Sequence, residues 1–455
     1  MSFIDQLQEI VGSNGLLLGE EVSARPNASK GRGSCPAKAI VRPANTEELS
    51  AVMKLCHAND QPVVTHGGLT GTVDGITCAE GDVVVSLERM RSIQRVDAEA
   101  GVMVVEAGVV LENAQAAAKE AGWQLAVDFG ARGSAQIGGM ISTNAGGNSV
   151  VRYGMTREQV LGLEVVLADG TVISSMNEML KNNTGYDLKH WFIGAEGTLG
   201  IVTRAVLRLR PQPKSVQTAF VALDSYDKVV TLLRRLGSDF EGKLSAYEVM
   251  WNNHYRLMVE TLDKHQAFLP VDYPYYVLLE QESGHESKGE EHFMEVLSAV
   301  MEEELVTDAV IAQTSQQAAQ LWEMRDDVGS IARHFKPLAA FDISMPLSEM
   351  EAYVERVTDT MADKLPEVGL VAFGHLGDGN LHILAGPAHE HRAIEEVVYG
   401  ELVKIGGAVS AEHGIGLEKK DFLSYSRSEQ EIALMKTIKQ SLDPKQLLNP
   451  GKIFS

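Results

Sequence analysis

Three glycine-dense stretches in the first half of the chain constrain its fold more than any other feature. They are PVVTHGGLTGTVDG (62–75), GARGSAQIGGMISTNAGGNSVVRYG (130–154) and GAEGTLGIVT (194–203). Closely spaced glycines let successive backbone N–H groups converge into an anion-binding nest, the arrangement that a pyrophosphate needs. None of the stretches is a Walker loop or a GxGxxG fingerprint. One stretch alone is explained equally well by a glycine turn between strands, but three together indicate a pyrophosphate-bearing ligand.

The 455-residue chain is long enough for two or three domains. Residues 36–110 alternate β-rich runs with a helical pattern at TEELSAVMKLCHAND (46–60), which we expect to begin with Thr46 as its N-cap. The segment RLRPQPKSVQ (208–217) carries two prolines and indicates a domain junction. From residue 214 onward, strands and helices alternate in a pattern that predicts an antiparallel or mixed sheet with helices on one face.

The stretch FGHLGDGNLHI (373–383) has the pattern of a short hairpin with a histidine on each strand. A two-residue type I′ turn at Asp378-Gly379 would make His375 and His382 direct cross-strand partners. Cβ atoms of such partners are roughly 4.5–5.5 Å apart, which suits two imidazoles that bind one metal ion. The alternative is a histidine pair packed on a sheet face, because lone histidines seldom bind metal.

The composition excludes some partners. A formal net charge of −22 opposes binding to nucleic acid or to an anionic membrane. The N-terminus lacks a basic segment followed by an apolar one, and no apolar window is long enough to span a membrane, so we expect a cytoplasmic protein. Cys35, Cys56 and Cys78 show no CxxC spacing and are interpreted as isolated reduced thiols.

Five motifs in register carry a family resemblance: the glycine stretches, NNTGYDLKHWFIGAEGTLGIVT (182–203), GHLGDGNLHI (374–383), SAEHGIGLEKK (410–420) and LLNPGKIF (447–454). From about residue 36 to 455 the chain resembles the FAD-linked oxidoreductases of the vanillyl-alcohol-oxidase type, in the branch of the D-lactate and D-2-hydroxyglutarate dehydrogenases. The resemblance implies an α+β fold with a vanillyl-alcohol-oxidase-type FAD-binding domain and an α+β cap domain. The implied organisation is an N-terminal segment (1–35), the FAD-binding domain (36–213), a cap or substrate domain (214–404) and a C-terminal return to the FAD domain (405–455).

The resemblance also implies which residues bind FAD. The first stretch would wrap the pyrophosphate through its backbone amides, the second and third would line the flavin, and the C-terminal tail would close the site. These residues are Thr65, His66, Gly67, Gly68, Leu69, Thr70, Gly71, Gly133, Ser134, Gly138, Gly139, Asn144, Gly146, Tyr153, Ile201 and Asn449. His66 raises the alternative of a covalent flavin link, but relatives with dissociable FAD often carry Arg at this position. We therefore expect non-covalent FAD.

A metal site and a mechanism follow from the same resemblance. If SAEHGIG is extended, the side chains of the neighbours Glu412 and His413 leave on opposite faces, so that one can serve a metal and the other a substrate. Glu412 would join His375 and His382 as metal ligands and leave open coordination positions. The ion, with zinc or manganese favoured and iron or cobalt left open by the ligand type, would acidify the hydroxyl of a bound 2-hydroxy acid. His413 would bind the substrate and take the hydroxyl proton as the catalytic base, while C2 gives a hydride to flavin N5.

Asn380 and Arg325 are the remaining expected substrate contacts. Asn380 would hydrogen-bond the substrate carboxylate, and Arg325 matches an arginine that relatives use as a carboxylate fork. The alternative for Arg325 is an ion pair on a helix surface. Relatives that act on 2-hydroxyglutarate have a hydroxyl residue where this chain has Gly329 and a lysine where it has Ala340, which favours small or apolar D-2-hydroxy acids here.

The expected function is an FAD- and metal-dependent dehydrogenase that oxidises a D-2-hydroxy acid to the 2-oxo acid. Electrons would pass to a separate acceptor, an electron-transfer flavoprotein or a quinone. Alternatives are a D-2-hydroxyglutarate-specific dehydrogenase, an oxidase that uses oxygen, a non-redox metal hydrolase that uses the same ligands, and a catalytically silent subunit of a larger flavoprotein. The acceptor, the metal and the oligomeric state stay open, with a homodimer as one alternative.

We predict that the protein purifies yellow and releases intact FAD on denaturation, because the glycine stretches need a pyrophosphate-bearing ligand. The measurement is the absorbance spectrum of the supernatant after the chain is precipitated. Flavin that stays with the precipitated chain would contradict non-covalent binding. A well-folded preparation without flavin would contradict the whole assignment.

Overall fold

The computed structural model of the protein describes residues 1–28 and 33–454. Residues 29–32, within the expected N-terminal segment, and residue 455, at the end of the expected C-terminal return, lie outside the described residues. The chain forms two compact units. The first contains Met1–Gly147, Gly154–Gln212 and Glu412–Ser455, and the second contains Asn148–Tyr153 and Pro213–Ala411. The functional assignment of the expected domains to these units stays a prediction.

In chain order, the strands of the described residues are β1 (Leu16–Leu17), β2 (Ala39–Val41), β3 (Val63–His66), β4 (Val83–Ser86), β5 (Ile93–Asp97), β6 (Val102–Glu106), β7 (Trp123–Gln124), β8 (Val160–Val166), β9 (Val172–Ser175), β10 (Ile201–Arg208), β11 (Arg210–Pro211), β12 (Ser215–Leu223), β13 (Leu244–Trp251), β14 (Tyr275–Ser283), β15 (Asp308–Ile311), β16 (Ala339–Ser344), β17 (Gly369–His375) and β18 (Asn380–Gly386).

The helices of the same residues are α1 (Phe3–Val11), α2 (Glu20–Ser23), α3 (Thr46–Ala58), α4 (Leu111–Glu120), α5 (Ile137–Thr143), α6 (Val150–Tyr153), α7 (Thr156–Gln159), α8 (Lys189–Phe192), α9 (Tyr226–Asp239), α10 (Asn252–Arg256), α11 (Glu286–Glu302), α12 (Ser315–Asp326), α13 (Val328–His334), α14 (Leu347–Lys364), α15 (His391–Val403), α16 (Leu423–Ser426) and α17 (Glu429–Leu442). Short 3₁₀ turns lie at Ser13–Gly15, Leu376–Asp378 and Lys420–Phe422, and a π-helical turn lies at Leu257–Thr261. Within the described ranges, no helix combines the length and the apolarity that a membrane span needs.

The first unit contains a four-stranded sheet in the order β1-β2-β4-β3, in which β2, β4 and β3 are parallel. Its strands are nearly continuous apolar runs, as expected when both faces of a parallel sheet are covered. Val83 and Val85 pack into the large core cluster of the unit, whereas Val84 packs into a smaller cluster on the opposite face. A separate antiparallel sheet in the order β5-β6-β10-β8-β9 completes the main framework of this unit.

Two expectations for the first unit are wrong in detail. The N-cap of α3 is Asn45, whose Oδ1 accepts a hydrogen bond from the Glu48 N–H at 2.8 Å, and not Thr46, which is the first helical residue. Cys35, Cys56 and Cys78 are free and buried, but Cys35 and Cys78 are not isolated from each other, because their sulfur atoms lie 3.3 Å apart. Asn45 is itself a preferred N-cap residue one position earlier in the sequence, whereas the contact of Cys35 with Cys78 spans 43 residues and no local pattern specifies it.

The C-terminal segment of the first unit is fixed by a buried lysine on α17. The Lys439 Nζ donates hydrogen bonds to the Thr198 and Leu448 carbonyls at 2.8 and 3.0 Å and pairs with the Asp443 carboxylate at 2.5 Å. Asp443, which is fully buried, also accepts hydrogen bonds from the Leu447 and Leu448 amides. The Lys439–Asp443 pair therefore fixes the backbone of the turn that carries Asn449.

The second unit is built around a seven-stranded antiparallel sheet in the order β15-β12-β14-β13-β17-β18-β16. The sequence pattern left an antiparallel and a mixed sheet open, and the observed sheet is antiparallel. Strands β17 and β18, which carry the two histidines, lie between β13 and β16. Each histidine strand therefore has a further strand on its outer side.

The β17–β18 hairpin has a different register from the predicted one. Phe373, and not His375, lies opposite His382. The reversal contains the 3₁₀ turn Leu376–Asp378 followed by Gly379 at φ +79°, so it is longer than a two-residue type I′ turn. A shift of two residues keeps the same side chains on the same face of the sheet, and the two imidazoles remain neighbours. His375 lies directly opposite Glu248 on β13.

We predict that Lys439→Met lowers the free energy of unfolding of the first unit by about 3–5 kcal/mol, because it leaves the Asp443 carboxylate buried without its cation. The matched control is Lys436→Met on the exposed face of the same helix, which we expect to change stability by about 0.5 kcal/mol or less. Denaturant unfolding followed by circular dichroism measures both. Equal effects of the two substitutions would contradict the anchoring role of Lys439.

Candidate active site

The first glycine stretch begins at the end of β3 and is tied to the chain terminus. Asn449 has a positive φ of +43° and donates its own N–H to the Val63 carbonyl at 2.8 Å. Its Oδ1 accepts a hydrogen bond from the Thr65 N–H at 2.9 Å, and its Nδ2 donates to the Glu196 carbonyl at 2.6 Å. One side chain thus joins the first glycine stretch, the third glycine stretch and the C-terminal segment.

The first and second glycine stretches approach each other closely. A Cβ added to Gly68 would lie 2.0 Å from the Ser134 carbonyl oxygen, so only glycine permits this contact. A cleft of about 210 Å³ lies beside this contact. A second cleft, of about 500 Å³, shares Glu88 and Gln136 with the first. The smaller cleft is lined by Arg25, Ile40, His66, Gly67, Gly68, Leu69, Ser86, Glu88, Ser134 and Gln136. The structure thus brings His66 to Leu69 and Ser134 together at one cleft.

His66 is buried, and its Nε2 lies 2.8 Å from the Ile76 carbonyl oxygen. Burial lowers the pKa of His66 to about 4, so the imidazole is neutral near pH 7. The neutral His66 imidazole, through its hydrogen bond to the backbone, fixes the end of β3, where the loop Gly67 to Gly71 begins. Thr70 and Gly71 lie further along this loop.

The remaining residues expected at the flavin occupy varied positions. Gly138 packs against Ala107, where a Cβ would lie 2.7 Å from the alanine Cβ. Asn144 ends α5 in the left-handed conformation, and its Oδ1 accepts a hydrogen bond from the Arg157 N–H. Ile201, at the start of β10, is part of the large core cluster. Gly133 is exposed, Gly139 lies within α5, and Gly146 follows that helix. Tyr153 belongs to the second unit, where its hydroxyl donates a hydrogen bond to the Glu282 carboxylate at 2.5 Å.

A row of polar side chains crosses one face of the sheet in the second unit. Glu248 on β13 is paired with His375 on β17, and Asp342 on β16 is paired with His382 on β18. The two imidazole centroids lie 5.1 Å apart with their planes at 83°. Directly opposed residues of antiparallel strands lie on the same face, so each histidine has a carboxylate on its outer side.

Glu412 directly follows Ala411, the last residue of the second unit, and Ala411 N–H donates to the Asp342 carbonyl. One ligand atom from each of His375, His382 and Glu412 lies within 4.8 Å of the others. Two imidazoles and one carboxylate suit zinc and related divalent ions and leave coordination positions open. The structure thus brings together the three residues that the sequence proposes as metal ligands.

Glu248 pairs with two charged or polar side chains, His375 and Arg325. Its Oε1 lies 2.7 Å from His375 Nδ1, and its Oε2 lies 2.6 Å from the Arg325 Nη2. Burial alone would raise the pKa of Glu248, but the charges of Arg325 and His375 outweigh it and hold the pKa at about 2. The same Arg325 nitrogen is 3.4 Å from both ring nitrogens of His375, and Nη1 pairs with Asp326 at 3.0 Å.

Arg325 and Asn380, the expected substrate contacts, differ in how they are paired. Arg325 is 6% exposed, so the alternative of an ion pair on a helix surface is wrong, although the guanidinium is indeed paired. Asn380 is 3% exposed, and among the described residues neither atom of its carboxamide has a hydrogen-bond partner. A buried amide without partners is costly, so this carboxamide is available to hydrogen-bond a ligand or a water.

The segment that carries Glu412 and His413 is a series of bends and not an extended strand. Glu196 fixes the residues that follow, because its carboxylate accepts hydrogen bonds from the Ile415 and Gly416 amides at 2.7 and 2.8 Å. Burial raises the pKa of Glu196 above its ordinary value. His413 itself is half-buried.

Three acidic residues that contact the proposed site residues or the backbone beside them were not predicted from the sequence: Glu196, Glu248 and Asp342. Asp342 stands between two buried apolar residues in AAFDIS, a signal that could have marked it. Glu248 lies 127 residues from His375, so only the pairing of β13 with β17 reveals their contact.

Comparison with known proteins identifies the two parts of the chain. Residues 37–175 match the model of an FAD binding domain, and residues 212–453 match the model of the FAD linked oxidases, C-terminal domain. A D-2-hydroxyglutarate dehydrogenase of Xanthomonas citri pv. viticola is 40% identical, over 91% of this chain and 89% of that protein. A mitochondrial D-2-hydroxyglutarate dehydrogenase of Arabidopsis thaliana is 36% identical, over 99% of this chain and 81% of that protein.

Solved structures share the fold at low sequence identity. p-Cresol methylhydroxylase with bound substrate is 16% identical with a TM-score of 0.77, and the match covers 99% of this chain and 96% of that one. An alkyldihydroxyacetonephosphate synthase is also 16% identical with a TM-score of 0.76, over 98% of this chain and 84% of that one. The α+β fold of the vanillyl-alcohol-oxidase type expected from the sequence is confirmed. The chain belongs to the family of FAD-linked oxidases and carries an FAD-binding domain followed by the C-terminal domain of that family.

Proposed function

We propose that this protein is an FAD- and metal-dependent dehydrogenase that oxidises a D-2-hydroxy acid to the 2-oxo acid and passes the electrons to a separate acceptor. The observation that carries the proposal is the donor set of His375, His382 and Glu412, all within 4.8 Å, in a chain with an FAD-binding domain. Relatives that cover most of the chain are D-2-hydroxyglutarate dehydrogenases, which supports the substrate class. The hydrolase alternative leaves the FAD-binding domain without a role.

The metal would be held by the two imidazoles and the Glu412 carboxylate. A bound divalent ion, with zinc or manganese as the leading choices, supplies a Lewis acid that acidifies the substrate hydroxyl. The residues present fit such an ion, because each histidine faces a buried carboxylate on its outer side, as metal-bound histidines usually do. The Asn380 carboxamide, which has no partner among the described residues, would hydrogen-bond the substrate carboxylate.

The FAD would be bound without a covalent link, by the loop Thr65 to Gly71 and the two later glycine stretches. Bound FAD supplies the hydride acceptor, at flavin N5. His66 is buried and hydrogen-bonded to the backbone, which supports a structural role for this ring. His413 would take the substrate hydroxyl proton on its imidazole, and Glu196 would hold the backbone after His413 in place.

Two positions bear on the size and charge of the substrate. Ala340 is exposed and lies two residues before Asp342 on β16, so both residues are on the same sheet face. It offers no cation to a second carboxylate. A Cβ added to Gly329 would lie 3.5 Å from an Arg333 guanidinium nitrogen, which is the nearest alternative cation at that position. We propose D-2-hydroxy acids with small or apolar side chains as good substrates, and an electron-transfer flavoprotein or a quinone as the acceptor.

We predict that His413→Ala lowers the rate of flavin reduction by roughly 10²–10⁴, the usual effect of losing a general base. The measurement is anaerobic stopped-flow bleaching of the flavin by D-lactate at saturating concentration. The matched control is His391→Ala on α15, an exposed histidine that we expect to leave the rate unchanged. A His413→Ala protein that binds FAD and reduces it at the native rate would place the base elsewhere.

We predict that the native protein uses D-lactate or D-2-hydroxybutyrate at least as efficiently as D-2-hydroxyglutarate. Ala340→Lys should raise the kcat/KM ratio of D-2-hydroxyglutarate to D-lactate by roughly tenfold, because about 1.4 kcal/mol of added pairing energy corresponds to that factor. Ala340→Gln, which adds length without charge, is the control. A strong native preference for hydroxyglutarate would contradict this proposal and would point to Arg333 as the source of the missing charge.

A further inference from the structure

Each of the two histidines has a buried carboxylate as its strand neighbour. Glu248 lies opposite His375, and Asp342 lies opposite His382. The side chains of both acids are almost fully buried, at 1% and 2% exposure. Burying a carboxylate is costly unless the group is paired. The neighbouring histidines are therefore among the groups that make these two buried acids tolerable.

The Nδ1 of each imidazole is the atom that faces the acid. For His375 the distance to Glu248 Oε1 is 2.7 Å, a charge-assisted hydrogen bond. For His382 the distance to Asp342 Oδ1 is 3.9 Å, an ion-pair distance that is too long for a hydrogen bond. A carboxylate at Nδ1 favours the proton on that nitrogen and leaves Nε2 as the lone-pair donor.

We propose that Glu248 and Asp342 are positioning residues, which hold His375 and His382 in the tautomer and ring orientation that bind the metal through Nε2. This inference rests on the metal site of the proposed function and gives a specific role to each of the two acids that flank its histidines. Glu248 has the larger effect, because its hydrogen bond is already formed. Neither acid binds the ion itself.

Glu248 has a second partner that must be separated from the first. Its Oε2 pairs with Arg325 at 2.6 Å, so a substitution at Glu248 also leaves a buried guanidinium without that partner. A loss of metal affinity could then arise from the positive charge of Arg325 near the site. The double variant Glu248→Gln/Arg325→Met removes that charge as well, so that only the missing carboxylate beside His375 can explain a remaining loss of affinity.

The test is the Zn²⁺ dissociation constant, measured by competition with a chromophoric chelator on FAD-containing protein. We expect Glu248→Gln to weaken zinc binding roughly 10- to 100-fold, Asp342→Asn to weaken it less, and the double variant to remain as weak as Glu248→Gln. The matched control is Glu280→Gln on β14 of the same sheet, whose carboxylate instead accepts hydrogen bonds from Thr218 and Trp322. This control should bind zinc like the native protein. FAD content and thermal midpoint verify that each variant is folded.

Native zinc affinity in folded Glu248→Gln and Asp342→Asn would overturn the inference. Recovery of native affinity in the double variant would also overturn it, because the effect would then come from Arg325. Equal weakening in Glu280→Gln would reduce the effect to a general loss of sheet stability and overturn it as well. A native protein that binds neither zinc nor manganese would instead refute the metal site of the proposed function, which is a distinct result.

Discussion

The shared carboxylate of Glu248 organises the polar row in the sheet of the second unit. It uses one oxygen for the His375 imidazole and the other for the Arg325 guanidinium, and all three groups are buried. Three polar groups inside an apolar sheet are stable only when they pair with one another, because each alone would carry a large desolvation cost. The position of each group therefore depends on the other two.

The first unit depends on a comparable set of long-range contacts. Asn449 joins the loop after β3 to the third glycine stretch, and the Lys439–Asp443 pair fixes the turn in which Asn449 lies. The carboxylate of Glu196 extends the same connection to the backbone that follows His413. Residues that are far apart in sequence thus hold the glycine loops and the proposed base in place through side chain to backbone hydrogen bonds.

The sequence predicted that His375 and His382 lie together, but not the register that brings them together. The face shared by His375 and His382 followed from the alternation of strand residues, and it tolerates the two-residue error in register. The register itself failed because Leu376–Asp378 form a 3₁₀ turn, which the Asp-Gly dipeptide does not reveal. The long-range pairing of Glu248 with His375 could not be read from local pattern, since strand order in an antiparallel sheet depends on the packing of the whole unit.

The metal requirement is tested most directly by the anaerobic reduction of bound FAD by a D-2-hydroxy acid, measured before metal removal, after it, and after the metal is restored. We predict that the chelated protein keeps its FAD spectrum but is no longer bleached by the substrate. Added zinc or manganese should restore bleaching. Reduction at the native rate in protein that is verified to contain no metal would contradict the role of His375, His382 and Glu412.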